Sequence, residues 1–188
     1  MSHALWYASR ATGLVTLVLL TSTMVLGLLG AGRLSSAGWP RFAVTSLHRN
    51  LSLLTVTFLV IHVATAVIDP YAGIGWAAAV LPFSSSYQPL WVGLGAVARD
   101  LLLALTVTSL LRERIGLRMW RGIHLTAYLC WPVAFVHGLG IGGADTHRLW
   151  VLSIDLVCLL AVAVAILQRA TSTHPDTVAR RQPHPSAR

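Results

Sequence analysis

Five long apolar segments, separated by shorter polar stretches, organise the chain. They cover residues 11–31, about 45–68, about 90–111, about 120–139 and about 149–167. The first segment carries no charged residue over 21 positions, and a helix rising about 1.5 Å per residue crosses roughly 30 Å of hydrocarbon in that length. Only helices and closed barrels satisfy their backbone hydrogen bonds in lipid. The pattern therefore predicts an all-α integral membrane bundle with five transmembrane helices.

The regions outside these segments complete the predicted organisation. Residues 1–10 form an N-terminal end, residues 11–167 the membrane domain, and residues 168–188 a basic, proline-containing tail that we expect to be disordered. The connection 69–89 combines Gly, Pro and Ser with aromatic residues, which is typical of an interfacial loop. Residues 1–9 contain no Lys or Arg, so we expect the first segment to be retained and not cleaved as a signal peptide.

Composition agrees with a membrane protein, and the placement of arginine predicts its orientation. Hydrophobic residues make up 55% of the chain and charged residues 11%, which excludes an ordinary soluble globule. The formal charge of +8 could suggest nucleic-acid binding, but the basic residues fall between apolar segments, so we expect no nucleic-acid partner.

Arginines cluster at three places: Arg33 and Arg41; Arg112, Arg114, Arg118 and Arg121; Arg169, Arg180, Arg181 and Arg188. Because positive loops stay in the cytoplasm, the N-terminus is predicted outside and the C-terminus inside the plasma membrane.

Four of the eight histidines lie inside predicted spans. His48 and His62 belong to the second span, and His124 and His137 to the fourth. Ionisable side chains within a bilayer are costly and indicate a function or a partner. Both spans run outward under the predicted topology, so His48 and His124 share one depth near the inside, and His62 and His137 share another nearer the outside. Spacings of 14 and 13 residues correspond to about 21 and 20 Å along a helix.

Two levels of paired histidines suit two stacked porphyrins, each held by imidazole nitrogens from both helices. Two alternatives are histidines that serve only as helix-packing contacts and a zinc site, for which no acidic or cysteine ligand is evident at either level. Helical rotation of about 100° per residue leaves His137 roughly 140° from the face of His124. Pro132 lies between them, and a proline kink offers a way to re-aim His137. The absence of a C-x-x-C-H motif argues against covalent c-type attachment of haem.

This histidine pattern resembles the ferric-reductase-like transmembrane domain shared by ferric reductases, NADPH oxidases and the haem partner of the periplasmic methionine sulfoxide reductase. The resemblance covers about residues 5–167 and implies two b-type haems, the inner one on His48 and His124 and the outer one on His62 and His137. Family members commonly have six spans, and the five predicted here lead us to expect that the leading one is absent. Oxidase-type members add a flavin and nicotinamide domain. No G-x-G-x-x-G fingerprint that follows a predicted strand is present in this chain.

Further residues are candidates for supporting the cofactors. Arg99, in the third span, could pair with an outer-haem propionate through a bidentate hydrogen bond; a structural ion pair with Asp100 or Asp155 is the alternative. Arg49 and Arg121 lie close to the inner ligands in sequence, where they could bind propionates or simply serve as positive-inside residues. Trp131, midway between His124 and His137, could stand between the haems or serve as packing. Phe58 and Phe135 are the other candidates for that position.

The sequence thus predicts transmembrane electron transfer by a bis-histidine cytochrome b. The electron donor is expected to be a separate flavoprotein reductase or a quinol, and the acceptor outside to be a ferric chelate, dioxygen, a flavin or a protein. Whether the chain is an enzyme by itself or an electron-transfer subunit is left open by these residues. One alternative is a quinol-oxidising haem anchor for a separate periplasmic reductase. Another is a haem-free transporter or scaffold whose histidines serve packing or proton transfer.

Overall fold

A computed structural model describes residues 4–31, 40–70 and 72–171. Its regular elements are α1 (Ala4–Ala31), α2 (Arg41–Ile68), α3 (Gly75–Ala78), α4 (Pro89–Leu110), α5 (Arg112–Ile115), α6 (Leu117–His124), α7 (Ala127–Ile141) and α8 (Leu149–Thr171), with a 3₁₀ turn at Gly143–His147. Arg33, Arg180, Arg181, Arg188 and the predicted disordered tail beyond residue 171 lie outside the described residues. Within them the protein is all-helical, as predicted.

Four helices are long and apolar enough to cross a bilayer. They are Ala4–Gly30, Phe42–Ile68, Pro89–Leu110 and Leu149–Thr171. These correspond to the predicted first, second, third and fifth spans. The first begins earlier than predicted, so that most of the predicted N-terminal end is part of α1, and α8 continues to Thr171, into the predicted tail. The protein is therefore a multi-pass membrane protein by the length and composition of its helices.

The predicted fourth span, residues 120–139, is divided between two helices. α6 ends at His124 and α7 begins at Ala127, and the 15 residues of α7 are too few to cross roughly 30 Å of hydrocarbon alone. At the junction the backbone bonds tighten to i→i−3, with Thr126 N donating to Ile123 O (2.9 Å) and Leu129 N to Thr126 O (3.0 Å). The described helices therefore do not include a single continuous helix over the predicted fourth span. The count of five spans and their orientation remain predictions.

This junction changes the direction in which α7 presents His137. A 3₁₀ segment rotates about 120° per residue, against about 100° in an α-helix, so three or four such residues advance His137 by about 60–80°. The advance closes about half of the angle that separated His137 from the face of His124. The change in hydrogen bonding precedes Pro132, which lies inside α7. Local winding at the junction therefore contributes to the re-aiming that we expected from a kink at Pro132.

The helices pack around α1, which contacts α2, α7 and α8, while α4 packs mainly on α7. A buried cluster at the middle of the bundle joins side chains of α1, α4, α7 and α8: Leu20, Leu102, Leu105, Cys130, Trp131, Cys158 and Val162. Many Leu, Val and Ile side chains on the outer faces are exposed, as expected for helices that face lipid and not water. The central cluster separates the two ends of the bundle.

Candidate functional site

Two histidine pairs lie on the facing sides of α2 and the α6–α7 segment. The rings of His48 and His124 have centroids 6.4 Å apart with an interplanar angle of 59°. The rings of His62 and His137 also have centroids 6.4 Å apart, at an angle of 72°. We call these the first pair and the second pair. The structure thus brings together the same partners that matching by depth predicted, and α2 and α6–α7 run in the same direction.

The spacing of each pair suits one metal ion between two imidazoles. Histidine nitrogens bind metals at about 2.0–2.1 Å, so two rings on opposite sides of one ion have centroids about 6–6.5 Å apart. Among residues 4–31, 40–70 and 72–171 there is no cluster of three or more His, Cys, Asp or Glu side chains. At each level the two histidines would supply two ligands to a metal ion, as paired histidines do for haem iron.

Three of the four imidazoles are held by backbone carbonyls of neighbouring helices. Nδ1 of His48 lies 3.0 Å from Thr23 O, Nδ1 of His62 lies 2.8 Å from Ser9 O, and Nδ1 of His137 lies 2.7 Å from Trp91 O. A carbonyl oxygen can only accept, so in each case Nδ1 carries the proton and donates it. The lone pair of Nε2 is then free for a metal, which is the usual arrangement of a ligating histidine.

His124 is held differently from the other three histidines. Its Nδ1 is buried and has no hydrogen-bond partner in the described part of the chain. Its ring stacks on that of Trp120, with centroids 4.8 Å apart and an angle of 29°, and the Trp120 indole N–H donates to Ser109 Oγ at 3.2 Å. Aromatic stacking therefore orients His124 where the other histidines use a carbonyl.

A cavity of about 570 Å³ opens at the second pair. Its walls come from α1, α2, α4, α7, α8 and the neighbouring connections, and include His62 and His137. Among mainly apolar residues, the charged members are three arginines and three aspartates: Arg10, Arg99, Arg148, Asp69, Asp145 and Asp155. Pockets for organic ligands typically span about 300–1,000 Å³ and are lined by apolar groups with a few polar ones. In size and apolar lining the cavity accommodates a flat, largely apolar cofactor.

The predicted arginines occupy two kinds of environment. Arg99 donates to Asp100 Oδ1 from Nε (3.0 Å) and from a terminal nitrogen (2.7 Å), and also to the carbonyl of Ala79. The structural ion pair that we considered for Arg99 is thus the one with Asp100, although Arg99 also lines the cavity. Arg49 and Arg121 are exposed near the first pair. Their roles toward a cofactor remain predictions.

Trp131 lies in the central cluster, between the two pairs along the chain. Its side chain is 6% exposed, and its indole N–H donates to Thr21 Oγ1 at 2.9 Å. The ring stacks on Phe135 with centroids 5.1 Å apart at 16°. Two of the three aromatic candidates for the central position therefore form one unit, while Phe58 is half-buried on α2.

Arg10 is a cavity residue that was not among the predicted site residues. Its guanidinium lies 4.1 Å from the Trp6 ring centroid, donates to Gly142 O at 2.7 Å and lies 3.6 Å from Asp145 Oδ2. A signal was present in the sequence, because Trp6 and Arg10 are four residues apart and so share one helix face. The contacts to Gly142 and Asp145 depend on how α1 meets the end of α7 and were not predictable.

Comparison with known proteins identifies the family of this chain. The family model described as "Ferric reductase like transmembrane component" matches residues 12–140, more than half of the chain. The protein belongs to the ferric-reductase-like family. The matched region contains both histidine pairs, and membership of the family indicates transmembrane electron transfer. No curated protein and no solved structure matches the chain.

Proposed function

We propose that this ferric-reductase-like protein moves electrons across the plasma membrane and that its histidine pairs are the axial ligands of two b-type haems. His48 and His124 would hold the inner haem, and His62 and His137 the outer one. The observation that carries the proposal is that both pairs have the same 6.4 Å centroid separation. This separation suits bis-imidazole ligation of one iron at each level.

The residues of the chain prepare these two positions in several ways. Bonds from Nδ1 to the carbonyls of Thr23, Ser9 and Trp91 orient three rings and leave Nε2 as the ligating nitrogen. Bound haem would supply the reversible one-electron chemistry of its iron.

Arginines at the two levels are suited to the propionate groups of such cofactors. Arg49 and Arg121 are exposed at the level of the first pair, while Arg99 and Arg10 line the cavity of the second pair. A guanidinium binds a carboxylate with two parallel hydrogen bonds. Arg99 and Arg10 already contact Asp100 and Asp145, so a propionate there would share or replace these partners.

The stacked rings of Trp131 and Phe135 occupy the apolar centre between the levels, so we assign Trp131 the position between the two haems. With the inside of the membrane negative, outward movement of an electron across the whole potential is favoured by about 2.3 kcal/mol per 100 mV.

We propose a separate flavoprotein reductase or a quinol as donor, and a ferric chelate, dioxygen, a flavin or a protein as acceptor outside. Supplying each donor to membranes that contain the protein, and following reduction spectrally, distinguishes these donors.

The proposal is tested by the absorption spectrum of the purified full-length chain with and without dithionite. We expect reduced b-type bands and a ratio of two haems per chain. His62→Ala and His137→Ala should each remove the outer haem and leave the inner one, while His147→Ala, at an exposed position in the 3₁₀ turn, should leave both. The absence of b-type bands would refute the cytochrome proposal and favour a haem-free transporter or scaffold. A ratio near one, or loss of both haems from either variant, would refute the pairing by depth.

A further inference from the structure

Each carbonyl that accepts a bond from a pair histidine lies four residues before a glycine. Ser9 precedes Gly13, Thr23 precedes Gly27, and Trp91 precedes Gly95. In an α-helix the carbonyl of residue i already accepts from the N–H of residue i+4. The histidine therefore uses the second lone pair of a carbonyl that is bonded within its own helix.

The glycine is what leaves that second lone pair accessible. Every Cα–Cβ bond in an α-helix tilts toward the N-terminus, so the side chain of residue i+4 covers the helix surface near the carbonyl of residue i. With glycine at i+4 this surface is open, and an imidazole can lie directly against the backbone. A larger side chain would occupy the space that the ring needs.

The distances to a Cβ placed on each glycine show how closely the rings approach. At Gly95 this Cβ would lie 2.5 Å from Cε1 and 2.7 Å from Nδ1 of His137. At Gly13 it would lie 2.9 Å from Cε1 and 3.0 Å from Nδ1 of His62, and at Gly27 it would lie 3.3 Å from Cε1 of His48. In all three cases the nearest atoms belong to the edge of the ring that donates to the carbonyl.

Other glycines and the fourth histidine provide the contrast. A Cβ on Gly30, also in α1, would meet only Val44 Cγ1 at 3.7 Å, an ordinary contact. Gly122, two residues before His124, has open space around a Cβ. His124, the one pair histidine whose Nδ1 lacks a partner in the described part of the chain, is also the one against which no described glycine packs in this way. Among the four pair histidines, the bond from Nδ1 to a carbonyl and the close contact with a glycine are therefore either both present or both absent.

We infer that Gly13, Gly27 and Gly95 are positioning residues that hold His62, His48 and His137 against backbone carbonyls, so that Nδ1 keeps its proton and Nε2 points to the metal position. The inference rests on the proposed haem ligation for its functional meaning. It also ranks the three sites by available space, with Gly95 the most sensitive to an added methyl group, Gly13 next and Gly27 the least.

Alanine at each glycine tests the ranking in the purified full-length protein. We expect Gly95→Ala and Gly13→Ala to halve the haem content or to convert the outer haem from low spin to high spin, seen by electron paramagnetic resonance. Gly27→Ala should keep both haems but raise the inner midpoint potential, because losing the carbonyl bond makes the imidazole a weaker donor. Gly30→Ala, on the same helix as Gly13 and Gly27, should match the wild type. Equal effects of Gly30→Ala and Gly13→Ala would overturn the inference.

A double-mutant cycle shows whether Gly95 acts through the histidine. In the His137→Ala background no ring remains for the added methyl group to displace, so Gly95→Ala should change neither haem content nor thermal unfolding any further. The same loss of stability in both backgrounds would overturn the inference in favour of a helix-packing role. Thermal unfolding reports on this cycle even if the wild type binds no haem. A wild type without haem would refute the proposed function, whereas the thermal-unfolding cycle would still decide whether Gly95 acts through His137.

Discussion

Replacing Thr21 with valine removes a hydrogen bond that ties two helices together at the centre of the bundle. The indole N–H of Trp131 donates to Thr21 Oγ1 at 2.9 Å, and the two residues are 6% and 5% exposed. Valine has nearly the same shape as threonine and is likewise β-branched, so Thr21→Val changes packing and helix propensity little. It leaves the Trp131 donor unpaired in an apolar core.

The expected loss is about 1 kcal/mol of unfolding free energy. An unpaired buried donor costs about 1–3 kcal/mol in water-soluble proteins, whereas interhelical hydrogen bonds in membranes average about 0.6 and reach about 1.7 kcal/mol. Thr23→Val is the matched control, because Thr23 is on the same helix, is 9% exposed, and its Oγ1 has no partner in the described part of the chain. Removing an unsatisfied buried hydroxyl should be neutral or stabilising.

The assay is reversible unfolding of the full chain in detergent, with Trp131→Phe completing a double-mutant cycle. We expect a coupling of about 1 kcal/mol between positions 21 and 131. If Thr21→Val were as stable as the wild type, or if the Thr21 and Thr23 variants lost equal stability, the assignment of this bond as a stabilising contact would be refuted.

Three further predictions concern charge, burial and orientation. Arg10→Gln should lower the unfolding free energy by about 1 kcal/mol through lost stacking and hydrogen bonding. Arg148→Gln, at a side chain 65% exposed, should have almost no effect. Comparable losses of stability in the two variants would contradict the stabilising role of Arg10. Both cysteines, 1% and 4% exposed, should react with maleimide only after denaturation, so mass-shifted native protein would disprove their burial. In intact cells an impermeant maleimide should label His147→Cys but not Arg114→Cys, and the opposite result would reverse the predicted topology.

Hydropathy predicted most of the helices because each span is a local property of the chain. α2 is Arg41–Ile68 against a predicted 45–68, and α4 is Pro89–Leu110 against 90–111. An apolar segment of this length must close its hydrogen bonds within itself, so its conformation follows without knowledge of its neighbours. The break between α6 and α7 was not predicted, because the residues at 125–126 are compatible with a helix and only the bonding pattern there distinguishes 3₁₀ from α winding.

In the candidate site, too, features local to one helix were predictable and contacts between helices were not. Depth depends on position along one helix, so the sequence by itself determined that His48 matches His124 and that His62 matches His137. Only the tertiary structure decided which atoms meet these rings, namely carbonyls and glycines of α1 and α4, and that Arg99 pairs with Asp100. These contacts depend on which helices are lateral neighbours and how they are rotated. Apolar side chains that face lipid and apolar side chains that face another helix look alike in a sequence, so hydropathy does not encode that arrangement.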